Sequence, residues 1–417
     1  MSAHGNSLTA AEAARRLGVK PATLYAYVSR GVLSRGKAAD GRGSLFDAAE
    51  IERLARRGRP RRPAGTVDIT VESAITEITA DALRFRGFDA TRLAVSRSFE
   101  EIAELLWTGE LRRAKATRTS AGEPWCATPV ALAVGRGAQA VLPAGILPLE
   151  RLQVIVPAMA TTDALRLQLD ESAVLAAGRN IIAGMVDCLP SPSGSAAAGE
   201  SRGEPIAERL WSRLSDRRPS PGLLRALSAA LVLLADHELA ASTLAVRAAA
   251  SVRADPYAVV GTGLGAMSGT LHGGASLGAE TLLAAARDPA DVPRVVGELL
   301  RRGEKVPGFG HFVYRGGDPR ALTLLDLVRQ AAPKSGPLAV AEAVLAEVRR
   351  KSLPEPSIDF AVAALARVAG MVTGAAEAVF AVARTAGWIA HALEAYAGAG
   401  PLRPRAVYTG HPAIIEP

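Results

Sequence analysis

Three of the chain's six histidines stand in surroundings that suit chemistry better than packing. His272 lies in Gly269-Thr270-Leu271-His272-Gly273-Gly274-Ala275. His311 closes Pro307-Gly308-Phe309-Gly310-His311 and leads, through Tyr314-Arg315-Gly316-Gly317, into Asp318-Pro319-Arg320. His237 sits in Asp236-His237-Glu238, ahead of Ala241-Ser242-Thr243. Glycines beside a histidine let a ligand approach the backbone and permit main-chain angles that other residues avoid. A lone histidine is most often a satisfied core or surface side chain. Two embedded in glycine, one of them ahead of Asp-Pro-Arg, point instead to hydrogen-bonding or acid–base work.

A carboxylate completes the set. Asp359 lies in Ser357-Ile358-Asp359-Phe360, after Pro354 and Pro356 and before the apolar run AVAALARVAG. Ser357 is expected to cap a helix, which puts Asp359 in its first turn. Taken alone, an acid there simply complements the helix dipole. Its place after two glycine-embedded histidines is what raises it above that plain reading.

The elements that must position these groups read as helices. Of the 417 residues 49% are apolar but only 4% aromatic, a balance that favours helices packed through Ala, Leu and Val over a sheet. Helical spacing marks Phe99–Gly109, which ends on a glycine, Leu223–Ala240 and Ala376–Tyr396. Arg112–Pro124 and Pro190–Pro205 have loop composition. Cys126 and Cys188 lack the spacing of a disulfide framework or a zinc site. No metal or redox cofactor is indicated. No long charge-free apolar stretch and no leader pattern is seen, so the cytoplasm is the expected compartment and no membrane partner is expected.

The net charge of +8 has a location. Residues 1–65 hold 13 basic and 5 acidic side chains, and the remaining 352 residues balance at 36 of each. Within that segment, 8–31 reads as two short helices around a tight turn, with Ala11, Ala14 and Leu17 on one inner face and Leu24 and Val28 on the other. A hairpin over Val32–Phe46 follows, then a helix over 48–57 capped by Asp47, then an Arg/Gly/Pro linker at 56–63. The order resembles a winged helix-turn-helix of the mercury-resistance-regulator and excisionase type. Such a unit reads duplex DNA, with Lys20, Thr23, Arg30, Arg35 and Arg42 toward phosphates or base edges. The plainer alternative is a packing or solubility module with solvated arginines.

Beyond residue 65 the motifs resemble, in order, those of the citrate synthase family. They are His237 in DHE…AST, His272 in LHGGA, His311 in GFGHFVYRGGDPR and Asp359 in SIDF. Arg86-Gly87-Phe88-Asp89 with SFEEIAELLWTG, Arg384-Thr385-Ala386-Gly387-Trp388-Ile389-Ala390-His391 and Arg403-Pro404-Arg405 extend the likeness over 66–417. Ala240, Ser276 and Phe312 depart from it, standing where Asn, Asn and a bacterial Arg are common.

The resemblance implies a mainly α protein: a small winged helix-turn-helix (1–65), a large helical domain (66–272 with 373–417) and a small one (273–372), assembled as a homodimer. It implies condensation of acetyl-CoA with oxaloacetate. Asp359 would remove a methyl proton, His272 would bond the thioester oxygen, and His311 would donate to the ketone of oxaloacetate. His237, Arg320 and Arg384 would hold that dicarboxylate, with Arg403 reaching in from a second subunit. Lys305, Gly308 and Arg315 match positions used for CoA. Propionyl-CoA is the near rival, because one methylene discriminates by only about 1–3 kcal/mol. A rival of another class is a DNA-binding regulator with an inactive, metabolite-sensing body.

Overall fold

A computed structural model describes residues 7–17, 19, 21–29, 33–37, 44–48, 50–51, 70–111, 125–192, 203–314, 316–398 and 400–404. The chain separates into two compact units, Met1–Val71 and Glu72–Pro417.

In the first unit, Glu12 accepts from the Thr9 N–H at 2.9 Å and from its hydroxyl at 2.8 Å, which opens the helix Ala10–Leu17. Ala13 and Ala14 face the core and Ala11 is exposed, a correction to the expected face. The buried stripe runs through 10, 13, 14 and 17, a one-face helical spacing that excludes 11. The second helix begins at Pro21 and buries Leu24 against Leu33, Phe46 and Ile51. The expected hairpin is present as Gly36–Lys37 paired antiparallel with Ser44–Asp47, and Ser7–Thr9 adds a third strand that periodicity did not reveal. Asp47 accepts from the Glu50 N–H at 2.9 Å, as a cap should. Thr23 is half-buried, and Arg35 is exposed with its guanidinium 5.7 Å from the Tyr25 ring. Lys20, Arg30 and Arg42, like the linker, lie outside the described residues.

The second unit opens with a small antiparallel sheet that the sequence did not announce. Leu83–Phe85 pairs with Thr76–Ile78 and with Phe88–Asp89. Arg86 and Gly87, both at positive φ (49° and 88°), form the two-residue turn between the last two strands. Helices follow. Ser98 and Glu101 form a capping box before Phe99–Thr108, and Gly109 ends it at φ 77°. The long helix Ala375–Ala397 is buried along most of its length, and its alanines let Glu171–Cys188, Pro221–Leu234, Ala241–Ser251 and Pro256–Met267 pack around it. Between 274 and 369, the helices Gly274–Ala285, Pro319–Ala331 and Gly336–Arg350 pack against Ile358–Ala369. Among the described residues no helix is long and apolar enough to cross a membrane. Residues 112–124 and 193–202, the bulk of the two expected loops, lie outside the described residues.

One expected helix is shorter. Leu223–Ala240 is helical only to Leu234, because the chain turns through Asp236, His237 and Glu238, the last at φ 53°. That turn is the first element of the site.

Candidate active site

The His237 turn is built from beneath. The Gly387 N–H donates to the Ala235 carbonyl at 3.0 Å, and a Cβ on Gly387 would come within 2.3 Å of Asp236 Oδ1. Only glycine lets the long helix approach so closely. Asp236 is fully buried and accepts from Thr76 Oγ1 at 2.6 Å and from the strained Glu238 N–H at 3.1 Å. His391 Nε2 lies 3.3–3.4 Å from both carboxylate oxygens. Burial pushes the Asp236 carboxyl up, but His391, Arg384 and Thr76 outweigh it and hold it below the usual range. Arg247 Nη1 stands 2.9 Å from His391 Nδ1, which fixes that nitrogen as acceptor and leaves Nε2–H for Asp236. Sequence reading did not single out Asp236 or His391 as site residues; their only signal was an acid beside a motif histidine and a histidine inside the C-terminal motif.

His237 is buried, with Nε2 3.1 Å from Tyr314 Oη and its ring 5.2 Å from that of His311 at 79°. Burial, then Arg320, Arg384 and His311, push its imidazole well below the ordinary histidine range. His311 is depressed for the same first reason and by Arg320. Its Nδ1 receives the Val313 N–H at 3.1 Å and the Tyr314 N–H at 3.4 Å. Backbone N–H groups only donate, so the neutral ring carries its proton on Nε2. Phe312 stacks on His311 at 5.3 Å and is 88% exposed.

The loop before His311 is clipped to the start of the Asp359 helix. Gly308, at φ 80°, has its carbonyl bonded by the Ser357 N–H at 2.9 Å, and the Gly310 N–H donates to the Glu355 carbonyl at 2.8 Å. A Cβ on Gly308 would sit 2.8 Å from that of Phe360. Asp318 makes a second tie. It caps Pro319–Ala331, accepts the Ile358 N–H at 3.0 Å, and holds Arg320 through two bonds of 3.0 and 2.8 Å. Burial lowers the proton affinity of the Arg320 guanidinium, and the Asp318 charge more than restores it.

His272 is half-buried, with Nε2 2.8 Å from Ser242 Oγ and its ring edge-on to Phe380 at 5.9 Å. Burial and Arg384 bring it down to about 4. Arg384 is 1% exposed; its Nε donates to the Leu234 carbonyl at 2.8 Å, and its guanidinium lies 4.8 Å from the Phe380 ring. Burial lowers it to about 10, so it stays cationic at neutral pH. Among the described residues, Arg384 Nη2 has no hydrogen-bond partner. Asp359 is half-buried; Oδ1 accepts from Ser276 Oγ at 2.6 Å and Oδ2 from Ser357 Oγ at 3.0 Å. Ser357 occupies the cap position as expected, but its hydroxyl makes no capping bond and turns to Asp359 and Gly308 instead.

One ring cluster thus gathers His237, His311, Tyr314 and Arg320, and His272 with Arg384 flank Phe380. Asp359 acts electrostatically on His272, His311, Arg320 and Arg384, which joins the two groups into one site. Lys305 is exposed and Gly308 buried, while Arg315 lies outside the described residues. Arg403 is exposed in a segment pinned by the Leu402 N–H on Ser251 Oγ at 2.9 Å. Among the described residues no hydrogen bond or ion pair joins Arg403 to the histidines.

Comparison with known proteins gives the arrangement its family. Residues 65–405 match the citrate synthase C-terminal domain family. The chain belongs to the citrate synthase family. It is an acyltransferase of the citrate synthase type. Citrate synthase 2 of Bacillus subtilis is 30% identical over 363 residues, covering 82% of this chain and 94% of its own. A 2-methylcitrate synthase of Mycobacterium tuberculosis is 27% identical over 373 residues, covering 86% and 93%. The solved citrate synthase of Thermoplasma acidophilum, a ternary complex with carboxymethyl coenzyme A and oxaloacetate, superposes with a TM-score of 0.68 at 25% identity, covering 84% of this chain and 96% of that one. Residues 7–59 match a helix-turn-helix domain family, in the part of the chain that the synthase likeness leaves out.

Proposed function

We propose that this enzyme joins the methyl carbon of acetyl-CoA to the ketone carbon of oxaloacetate, and that water then releases citrate and CoA. The observation that carries the reading is the division of protons. Two neutral imidazoles, one with its donor nitrogen fixed by main-chain geometry, stand within electrostatic reach of one half-buried carboxylate. In this reading Asp359 takes a methyl proton and the electron pair passes to the thioester oxygen. His272 donates to that oxygen from Nδ1 while Ser242 donates to Nε2, and His311 donates from Nε2 to the ketone oxygen. His237 helps to hold oxaloacetate.

A dicarboxylate needs cations that are not already spent. Among the described residues Arg384 Nη2 is a buried donor without a partner, and Arg320, whose Nε and Nη2 are bonded to Asp318, lies beside the same rings. The partner subunit's Arg403 would complete the set in a homodimer. Val130, Val141, Leu165 and Leu167 are exposed on the single chain, apolar surface that a second copy would cover. A cavity of about 760 Å³, lined by Thr270 and Gly274 beside His272 and by Pro307 beside Gly308, supports a berth for acyl-CoA, with Lys305, Gly308 and Arg315 toward the nucleotide. Closure of 273–372 on 66–272 and 373–417 would exclude water. The reaction calls on no metal or redox cofactor, CoA entering with the substrate, and the proposed compartment is the cytoplasm.

Propionyl-CoA is the alternative acyl donor, favoured by the likeness to a 2-methylcitrate synthase. For the first unit, the helix-turn-helix match and the concentrated positive charge support duplex DNA as ligand. A purely sensing body would have no use for Asp359 and its two hydroxyl donors.

The test is CoA release by the purified protein with oxaloacetate and either acyl-CoA. Acetyl-CoA should give the larger kcat/KM, and Asp359→Asn should cut turnover by about 100-fold or more with oxaloacetate binding kept. A larger kcat/KM with propionyl-CoA would reassign the product as 2-methylcitrate. No release with either, or an Asp359→Asn variant within a few-fold of the parent, would sink the reading of Asp359 as base in a condensing enzyme.

A further inference from the structure

The two hydroxyls on Asp359 are committed to different degrees. Ser276 is fully buried in the first turn of Gly274–Ala285, four residues past His272, and its Oγ lies 2.6 Å from Asp359 Oδ1. Among the described residues Asp359 is its only side-chain acceptor. Ser357 has one proton and two acceptors, Asp359 Oδ2 at 3.0 Å and the Gly308 carbonyl at 3.1 Å. A hydroxyl donates once. Whenever Ser357 turns to Gly308, a lone pair on Oδ2 is released, whereas Oδ1 has no such exchange.

We propose that Ser276 is a positioning residue for the condensation, holding Asp359 Oδ1 so that Oδ2 is the oxygen that takes the methyl proton. The inference rests on the reading of Asp359 as the base. The methyl C–H bond breaks, the proton passes to Oδ2, and the electron pair becomes the enolate at His272. Ser357 swings to Gly308 as Oδ2 fills, and Ser276 keeps its bond throughout. His272 from the segment ahead of 274–285, His311 from its loop, Arg320 from 319–331 and Arg384 from 375–397 all feel the Asp359 carboxylate through charge. Among the described residues only the serine side chains bond it. Charge at a distance does not set the direction of a carboxylate; a short hydrogen bond does. The helix that starts beside the enolate-binding His272 therefore also aims the base, so one rigid element sets both ends of the proton transfer.

The experiment uses the full-length protein. Ser276→Ala should lower kcat with acetyl-CoA by about 10- to 100-fold, the worth of a hydrogen bond to a charged group. Oxaloacetate affinity by calorimetry should stay as in the parent. Two readouts report on proton removal rather than on folding. The isotope effect with methyl-deuterated acetyl-CoA should rise, and the acid limb of kcat/KM should move to higher pH, because the charged carboxylate has lost a donor. Ser276→Cys, close in size and weaker as a donor, should fall between parent and Ala and serves if the alanine protein does not fold. Loss of rate or stability with the parent's isotope effect and acid limb would overturn the proposal and leave Ser276 as packing. Undiminished turnover in Asp359→Asn would instead sink the base itself, whatever Ser276→Ala does.

Discussion

Ser242 Oγ lies 2.8 Å from His272 Nε2, on a ring that burial and Arg384 bring down to about 4. A neutral imidazole has one N–H, and the serine hydroxyl can take the acceptor side. The free donor is then Nδ1, the nitrogen the proposed enolate needs.

Ser242→Ala should therefore blur the tautomer and lower kcat by about tenfold, the cost of one side-chain hydrogen bond at a reacting centre, with little effect on oxaloacetate affinity. Steady-state kinetics with calorimetry would check it. Parent-like turnover would show that Nδ1–H does not depend on the serine.

Much of this site was legible because its motifs are contiguous. Glycines around His272 and His311 signal close backbone approach, and the structure gives the reason at Gly308, where a side chain would strike Phe360. The two long apolar runs declared their helices. What stayed hidden depends on residues far apart in the chain. Nothing local shows that Gly387 must be bare because Asp236 passes beneath it, or that Ser276 meets Asp359 across 83 positions. The small sheet at 76–89 was hidden for another reason: its strands have two or three residues, too few for a period to show.

The depressed histidines make stability depend on pH with a definite sign. Unfolded, His272 titrates near 6.5, and folded it titrates near 4. Between those values the unfolded chain binds a proton that the folded chain refuses, so this contribution weakens as pH falls. His237 and His311 act in the same direction. Glu377 opposes them, since burial, Glu280 and Glu150 raise it to about 7, and its contribution is lost as pH rises. Comparing the parent with His272→Asn isolates one group. In denaturant titrations from pH 4.5 to 6.5, the parent's slope should be steeper by up to about one proton. Parallel curves would mean that His272 is not held neutral.

Assembly is testable through Arg403, exposed here and assigned by the proposed function to a neighbouring site. Arg403→Ala and Asp359→Asn should each be nearly inactive. After subunit exchange, hybrid dimers would pair an intact Asp359 with an intact Arg403 in one of two sites, so activity should return toward a quarter of the parent's. Exchange confirmed by native mass measurement without recovery would confine Arg403 to its own subunit or remove it from the site.

The last prediction concerns the first unit. The excess charge lies in residues 1–65, and every proposed catalytic or substrate-binding group lies at His237 or beyond. The synthase-family match begins at residue 65, after the segment that carries the excess charge. Among the described residues, the support beneath His237 reaches back to Thr76, through its bond to Asp236, and to the Glu72 carbonyl, through Arg247. Deleting residues 1–63 should thus leave a folded enzyme with acetyl-CoA kinetics within about twofold of the parent, since the proposed site residues all belong to the second compact unit. The same deletion should abolish affinity for duplex DNA. In the full-length protein that affinity should fall steeply with salt, because neutralised phosphates release counterions and the log of the binding constant drops in proportion to the contacts made. Fluorescence anisotropy of a labelled duplex at 50 and 200 mM salt reads this directly, beside a CoA-release assay on both proteins. A truncated protein that folds but does not turn over would show that the first unit shapes the synthase site. Full-length protein that ignores DNA even at low salt would remove nucleic acid from the function and leave the basic arginines as solvated surface.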